Sequence, residues 1–202
     1  MNLVGNARGG AQAAAEHFLN TRDNEHVEVY ELRGFVSDDL AGALNEIYAI
    51  SRGTRCKQFL YSLSLNPPPT EQATTQDFED AIARVEAKLG LSDQPRAIVF
   101  HEKKGRRHAH CVWSRIDVGE MKAIQMSFDR EKLKTISREL FLHHGWQMPP
   151  GLAHRESRDP RNYSLAEWQQ ARRIKTHPNQ ITRDIEDAWA ISDTRESFAH
   201  AL

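Results

Sequence analysis

His108 and His110 lie two residues apart in the segment Arg106-Arg-His-Ala-His-Cys-Val-Trp-Ser114, and His101 precedes them in Phe100-His-Glu-Lys-Lys-Gly105. Side chains alternate along a strand, so His108 and His110 share a face with Val112 and Ser114, while Ala109, Cys111 and Trp113 take the other. Lys103, Lys104 and Gly105 read as a hairpin turn between strands Arg96–His101 and His108–Ile116, which folds His101 beside the pair. Three neutral imidazoles suit a divalent transition metal and leave positions open for substrate oxygens. Lys103, Lys104, Arg106 and Arg107 surround them, and local positive charge suits a phosphate substrate. Protonated imidazoles beside four cations would repel, so a purely structural role is hard to motivate.

Composition sets the frame. The chain has 202 residues, 39% hydrophobic and 27% charged, enough for a packed core and against global disorder. The formal net charge is -1, so a nucleic-acid surface must come from local clusters. A second cluster is Arg172, Arg173 and Lys175. Two cysteines, Cys56 and Cys111, exclude a disulfide framework and fit a reducing compartment. Residues 1–10 lack an apolar signal core, and no stretch reaches the ~18 apolar residues of a membrane span. A cytoplasmic chain with no membrane partner is expected. Thr194–Leu202 reads as helix without a stop signal, so a longer parent protein is expected.

The elements that must position the histidines follow from periodicity. Asn2–Val4 reads as a short strand, and Ala11, Ala14, Ala15, Phe18 and Leu19 have helical spacing. His26–Leu32 is a strand, Ser37 caps a helix carrying Leu40, Leu44 and Ile47, and Lys57–Leu65 is a long strand. Thr75 caps the helix Gln76–Leu89, and Phe128–His144 is a further amphipathic helix after the hairpin. This order specifies an α+β fold, a mainly antiparallel sheet with helices packed on it. The Pro-rich, charged stretch Met148–Asn162 marks a boundary. Residues 1–147 form one domain, and 148–202 a linker and helical extension.

The arrangement of His101, His108 and His110 after a helix and a strand resembles the three-histidine motif of the relaxases. These are the mobilisation nucleases of plasmids and integrative elements, related to the T-DNA border endonuclease. Arg8-Gly9-Gly10 before a short helix, then Glu25-His-Val-Glu-Val-Tyr-Glu-Leu-Arg-Gly34, is similar to the same family. The resemblance spans about residues 1–145. It implies a five-stranded antiparallel sheet flanked by helices, with a Mg or Mn ion on the histidines that polarises a scissile phosphate. It also implies nicking and joining of single-stranded DNA at a transfer origin. The implied partners are accessory relaxosome proteins and a type IV secretion coupling protein.

One departure concerns the nucleophile. Most such relaxases use a tyrosine on the first helix, but here that helix reads Ala15-Glu-His-Phe-Leu-Asn20, with Phe18 at the tyrosine position. Three assignments are open: His17 attacks phosphorus to give a phosphoramidate, Phe18 replaces an original tyrosine, or Tyr30 or Tyr61 reaches the site from a strand. His17 is favoured. Glu28, on the strand with His26 and Tyr30, is the expected assisting carboxylate, ahead of Glu102, Glu25 and Glu31. Lys103, Lys104, Arg106 and Arg107 are expected to hold phosphates, with Arg161, Arg172 and Arg173 as a second clamp. Two other readings remain. A rolling-circle initiator or transposase of the same superfamily would carry its nucleophile helix after the histidines, and the helix there has no tyrosine. A non-catalytic single-strand DNA- or RNA-binding module would need neither metal nor nucleophile.

Overall fold

The computed structural model describes residues 1–153 and 165–201. They divide into two compact units, Met1–Met148 and Pro149–Leu202. The first runs β1 (Asn2–Arg8), α1 (Ala11–Phe18), β2 (His26–Arg33), α2 (Leu40–Ser51), β3 (Leu60–Asn66), α3 (Thr75–Leu89), β4 (Arg96–Lys103) and β5 (Arg106–Ser114). A two-stranded ribbon, β6 (Ile116–Asp117) and β7 (Lys122–Ala123), then leads to α4 (Asp129–His143).

The main sheet has five strands in the order β1-β3-β5-β4-β2, and every pairing is antiparallel. The α+β expectation holds, and β5, with two of the histidines, is the central strand. Alternation along the strands splits the core in two. Leu3, Tyr61, Leu63, Ile98, Phe100, Cys111 and Trp113 point to one face, where Phe78, Ile82 and Val85 of α3 and Leu133, Ile136 and Leu140 of α4 cover them. Leu60, Ala97, Val99 and Val112 point to the other, under Ala11, Ala14, Ala15 and Phe18 of α1 and Leu40, Leu44 and Ile47 of α2.

The α3/α4 face also buries charge. Glu86 of α3, 4% exposed, accepts from Trp113 Nε1 at 2.7 Å and pairs with Arg33 at 2.7 Å and Arg96 at 3.0 Å. Three donors on one carboxylate offset the cost of burying it.

Several local signals differ from expectation. β1 extends to Arg8, because its register with β3 continues from Asn2↔Asn66 to Arg8↔Leu60. The caps sit one and two residues away from Thr75 and Ser37. Thr74 makes a reciprocal capping box with Asp77 on α3, and the Asp39 side chain accepts from Gly42 N on α2. Two glycines place α1. Gly10 turns the chain at φ 81°, a left-handed conformation, and a Cβ on Gly9 would collide with the Lys57 carbonyl.

The second unit holds α5 (Pro150–Ala153), α6 (Leu165–Arg173), α7 (Pro178–Ala190) and α8 (Arg195–Ala201). Within it, Trp189 and Phe198 meet edge to face at 5.3 Å. Among the described residues, no helix is long and apolar enough to cross a membrane.

Candidate metal and nuclease site

The β4–β5 hairpin sets the site. Its two-residue turn, Lys104-Gly105, has φ of 53° and 67°, the doubly left-handed form that matches strand twist. The Glu25 carboxylate accepts from both turn amides, at 3.0 Å from Lys104 N and 3.3 Å from Gly105 N. That bond holds a non-glycine residue in an otherwise disfavoured conformation. The resulting register places His101 directly opposite His108, with His110 one step further along β5.

The three rings converge. Centroids are 5.2 Å apart for His101–His108, 4.8 Å for His101–His110 and 5.4 Å for His108–His110. One ligand nitrogen from each lies within 4.8 Å of the others. To hold a divalent ion at nitrogen–metal distances of ~2.1 Å the three nitrogens would draw closer together. Burial lowers the pKa of all three, and neighbouring positive groups lower His108 and His110 further, His110 to about 3. They are therefore neutral at neutral pH, the form that can bind a metal. His101 is 3% exposed, and its Nε2 lies 2.6 Å from the Phe18 carbonyl oxygen. A carbonyl only accepts, so Nε2 carries the proton and Nδ1 holds the lone pair. The donor set thus fits a divalent metal, and its orienting acceptor is a backbone carbonyl at the end of α1.

The same helix brings His17. Its ring is 5.7 Å from His110, and the residue is exposed. Its pKa is lowered first by partial desolvation of the ring beside Phe18 and His110, then by Arg8 and His101. Phe18 packs 5.5 Å from His110 but is 1% exposed, part of the core. Tyr30 and Tyr61 are on the opposite face. Tyr30 meets Phe100 edge to face at 5.1 Å and donates to Glu79, and Tyr61 is buried against Trp113 and donates to Asp129. Neither faces the histidines.

Two sequence assignments are corrected by the register. Glu28 pairs opposite Phe100, so its side chain lies on the α3/α4 face, where Arg107 is 3.7 Å away. It cannot orient a site histidine. Arg107 points the same way. It lies over the Phe100 ring at 3.8 Å and donates to Thr75, so it braces α3. Lys103 and Arg106 alternate onto the histidine side, and both charges act on His108. Arg106 donates to the Pro67 carbonyl at 3.3 Å. Lys103 and Lys104 are exposed. Glu31 pairs with Arg96 at 2.7 Å, and Glu102 faces the same side as Phe100. Arg172 and Arg173 are exposed on α6 in the second unit, with Arg172 5.4 Å from the Trp168 ring. Arg161 lies outside the described residues.

Sequence reasoning missed Arg8 as a site residue. It stands 5.8 Å from the Phe18 ring, and its charge acts on both His17 and His110. Extending the strand periodicity through Asn2–Arg8 would have put it on the histidine face. The Phe18 carbonyl has no sequence signature.

No curated protein and no solved structure matches the chain. The family model of the relaxases described as MobA/VirD2-like, nuclease domain, matches residues 16–146, a span that contains His17, the histidine cluster and all of α2 to α4. The chain belongs to the MobA/VirD2-like relaxase nuclease family.

Proposed function

We propose that this chain is a metal-dependent relaxase that nicks and rejoins one DNA strand at the transfer origin of a plasmid or integrative element. The observation that carries the reading is the convergence of His101, His108 and His110 with the exposed His17 ring 5.7 Å from His110. His101, His108 and His110 would hold a Mn or Mg ion, which supplies positive charge to the scissile phosphate. Lys103, Lys104 and Arg106 hold flanking phosphates, and Arg8 adds charge beside His17. His17 acts as the nucleophile. Its neutral ring nitrogen forms a bond to phosphorus as one phosphorus–oxygen bond breaks, and the leaving strand end departs as a hydroxyl after taking a proton. The ring-nitrogen proton is lost, leaving a phosphoramidate. The energy of the phosphodiester is thereby kept for rejoining.

Residues 1–147 would form the nicking domain and 148–202 a helical extension, with Arg161, Arg172 and Arg173 as a second DNA contact. In this reading the chain would work in the cytoplasm with relaxosome proteins and a secretion coupling protein. The test uses labelled single strands tiling the DNA around the gene, with Mn. Wild type should cleave one strand at one position, and His17→Ala should lower the rate at least about 1,000-fold while binding is kept. Equal cleavage by His17→Ala removes His17 from the reaction. A second reading rests on Phe18, whose ring is as near His110 as that of His17. If Phe18→Tyr nicks and wild type does not, the chain is a disabled relaxase.

A further inference from the structure

The histidine face is only half covered. α1 and α2 pack on Leu60, Ala97, Val99 and Val112, but the same face continues across β3 and β1. Alternation places Ser62, Ser64 and Asn66 of β3 there, because Tyr61, Leu63 and Leu65 enter the opposite core. On β1 it places Asn2, Val4, Asn6 and Arg8 there, because Met1 and Leu3 enter that same opposite core. The register then joins this strip to the site. Ser64 lies opposite His110, and Val4 opposite Ser64, steps of about 5 and 10 Å from the histidine. Asn6 opposes Ser62, and Asn2 opposes Asn66.

The chemistry of the strip is unusual for strands. Asparagine is depleted in sheets, yet three stand here with two serines. Asn2, Val4 and Asn6 are exposed. Among the described residues, no hydrogen bond engages the Asn2 or Asn6 side chain. Asn66 donates to Ser64 Oγ at 2.9 Å, which leaves its amide oxygen and the serine proton available. None of the seven residues is acidic, in a chain with 28 acidic residues. Cations stand at both ends, Lys103 and Arg106 beside His108 and Arg8 beside His110. A polyanion can therefore enter and leave the strip, while the middle offers neutral donors and acceptors.

We propose that Asn2, Asn6, Ser64 and Asn66 form a base-reading strip for the single-stranded DNA that leaves the metal site. This rests on the relaxase reading and adds to it where sequence is recognised. Cations hold phosphates without regard to sequence, whereas amides and hydroxyls hydrogen-bond the edges of unpaired bases. With Lys103, Arg106 and Arg8 on the phosphates, the bases turn toward the sheet. Val4 supplies an apolar surface between the polar pairs.

The test is selection from a random pool of single-stranded DNA in EDTA, so that no strand is cut. Three proteins are compared: wild type, Asn2→Ala/Asn6→Ala and Lys103→Ala/Lys104→Ala. The asparagines are exposed, and circular dichroism melts confirm that the variants fold. Wild type should enrich a short motif. The asparagine variant should lose on the order of tenfold preference at one or two adjacent positions, with affinity for the unselected pool within about twofold. The lysine variant should keep the motif and bind the pool more weakly. An asparagine variant that enriches the same motif as strongly as wild type overturns the strip. So does a wild type that binds and nicks but enriches nothing. A wild type that neither binds single strands nor nicks them with Mn overturns the relaxase reading itself.

Discussion

The two faces of the sheet are made from the same strands and do opposite things. Phe100 and His101 are neighbours, as are Tyr61 and Ser62, and Arg106 and Arg107. On the α3/α4 face, Phe100, Tyr61 and Trp113 are sealed under two helices, and even the charges there, Glu86 with Arg33 and Arg96, are paired. The other face is covered over part of its area: His101 is buried there, but His108, His110, Ser64 and Asn66 are half-buried and Asn2 and Asn6 are exposed. A single step along a strand moves a residue from the stability of the fold to its chemistry.

The largest separation of the two faces is expected from His108→Ala. Calorimetry with Mn should show one site in wild type and none in the variant, while the melting temperature of the metal-free protein should hardly change. Unchanged Mn affinity would mean the cluster is not the metal site. Next come core variants on the closed face. Phe78→Ala should cost about 3–5 kcal/mol in urea unfolding, and Glu86→Ala about 1–3 kcal/mol, because it leaves the buried Trp113 N–H unpaired while Arg96 keeps Glu31 and Arg33 keeps the Ser92 and Gln94 carbonyls. Both should leave the Mn stoichiometry of the folded protein at one. Loss of metal binding at full folding would show that the faces are coupled.

A smaller effect separates adjacent arginines. Arg106→Ala should flatten the salt dependence of single-strand binding by about one unit of log–log slope. Arg107→Ala, whose side chain is occupied by Phe100, Thr75 and Glu28, should leave that slope alone and lower stability instead. Equal slopes for the two variants would break the alternation argument. Glu28→Gln should nick at a wild-type rate for the same reason.

The smallest effect is in pH. The site histidines have lowered pKa values in the folded protein, while in the unfolded chain they titrate near the ordinary ~6.5. Unfolding therefore takes up protons below that value. The metal-free protein should lose stability as pH falls through about 6.5, and none of this cost should be present well above it. The urea midpoint should drop between pH 7 and 5, and His110→Leu should reduce the drop. A midpoint flat over that range in wild type would contradict the burial of neutral imidazoles.

Much of this was legible in the sequence, for physical reasons. Strand alternation and a short turn are enough to converge His101, His108 and His110, and the helix carrying His17 announces itself through Ala11, Ala14, Ala15 and Phe18. The element order matched the sheet with its flanking helices. What failed was register across strands. Glu28 and Tyr30 were placed near the site because their own strand looked right, but the facing of β2 depends on its pairing with Phe100 and His101 and on a bulge between Val29 and Glu31. Arg107 was grouped with its basic neighbours because charge runs carry no parity. The acceptor on His101 is the peptide carbonyl of Phe18, which no side-chain pattern encodes. Arg8 was hidden because β1 was read as ending at Val4.

The most direct measurement is to map the bond between protein and DNA. Wild type is incubated with Mn and a cleavable single strand, the covalent adduct is isolated, and one half is acidified before peptide mapping. The expected adduct is on His17 and is lost in acid, as a phosphoramidate should be. An acid-stable adduct on a tyrosine, or nicking with no adduct on α1 at all, would contradict the assignment of this helix as the nucleophile carrier.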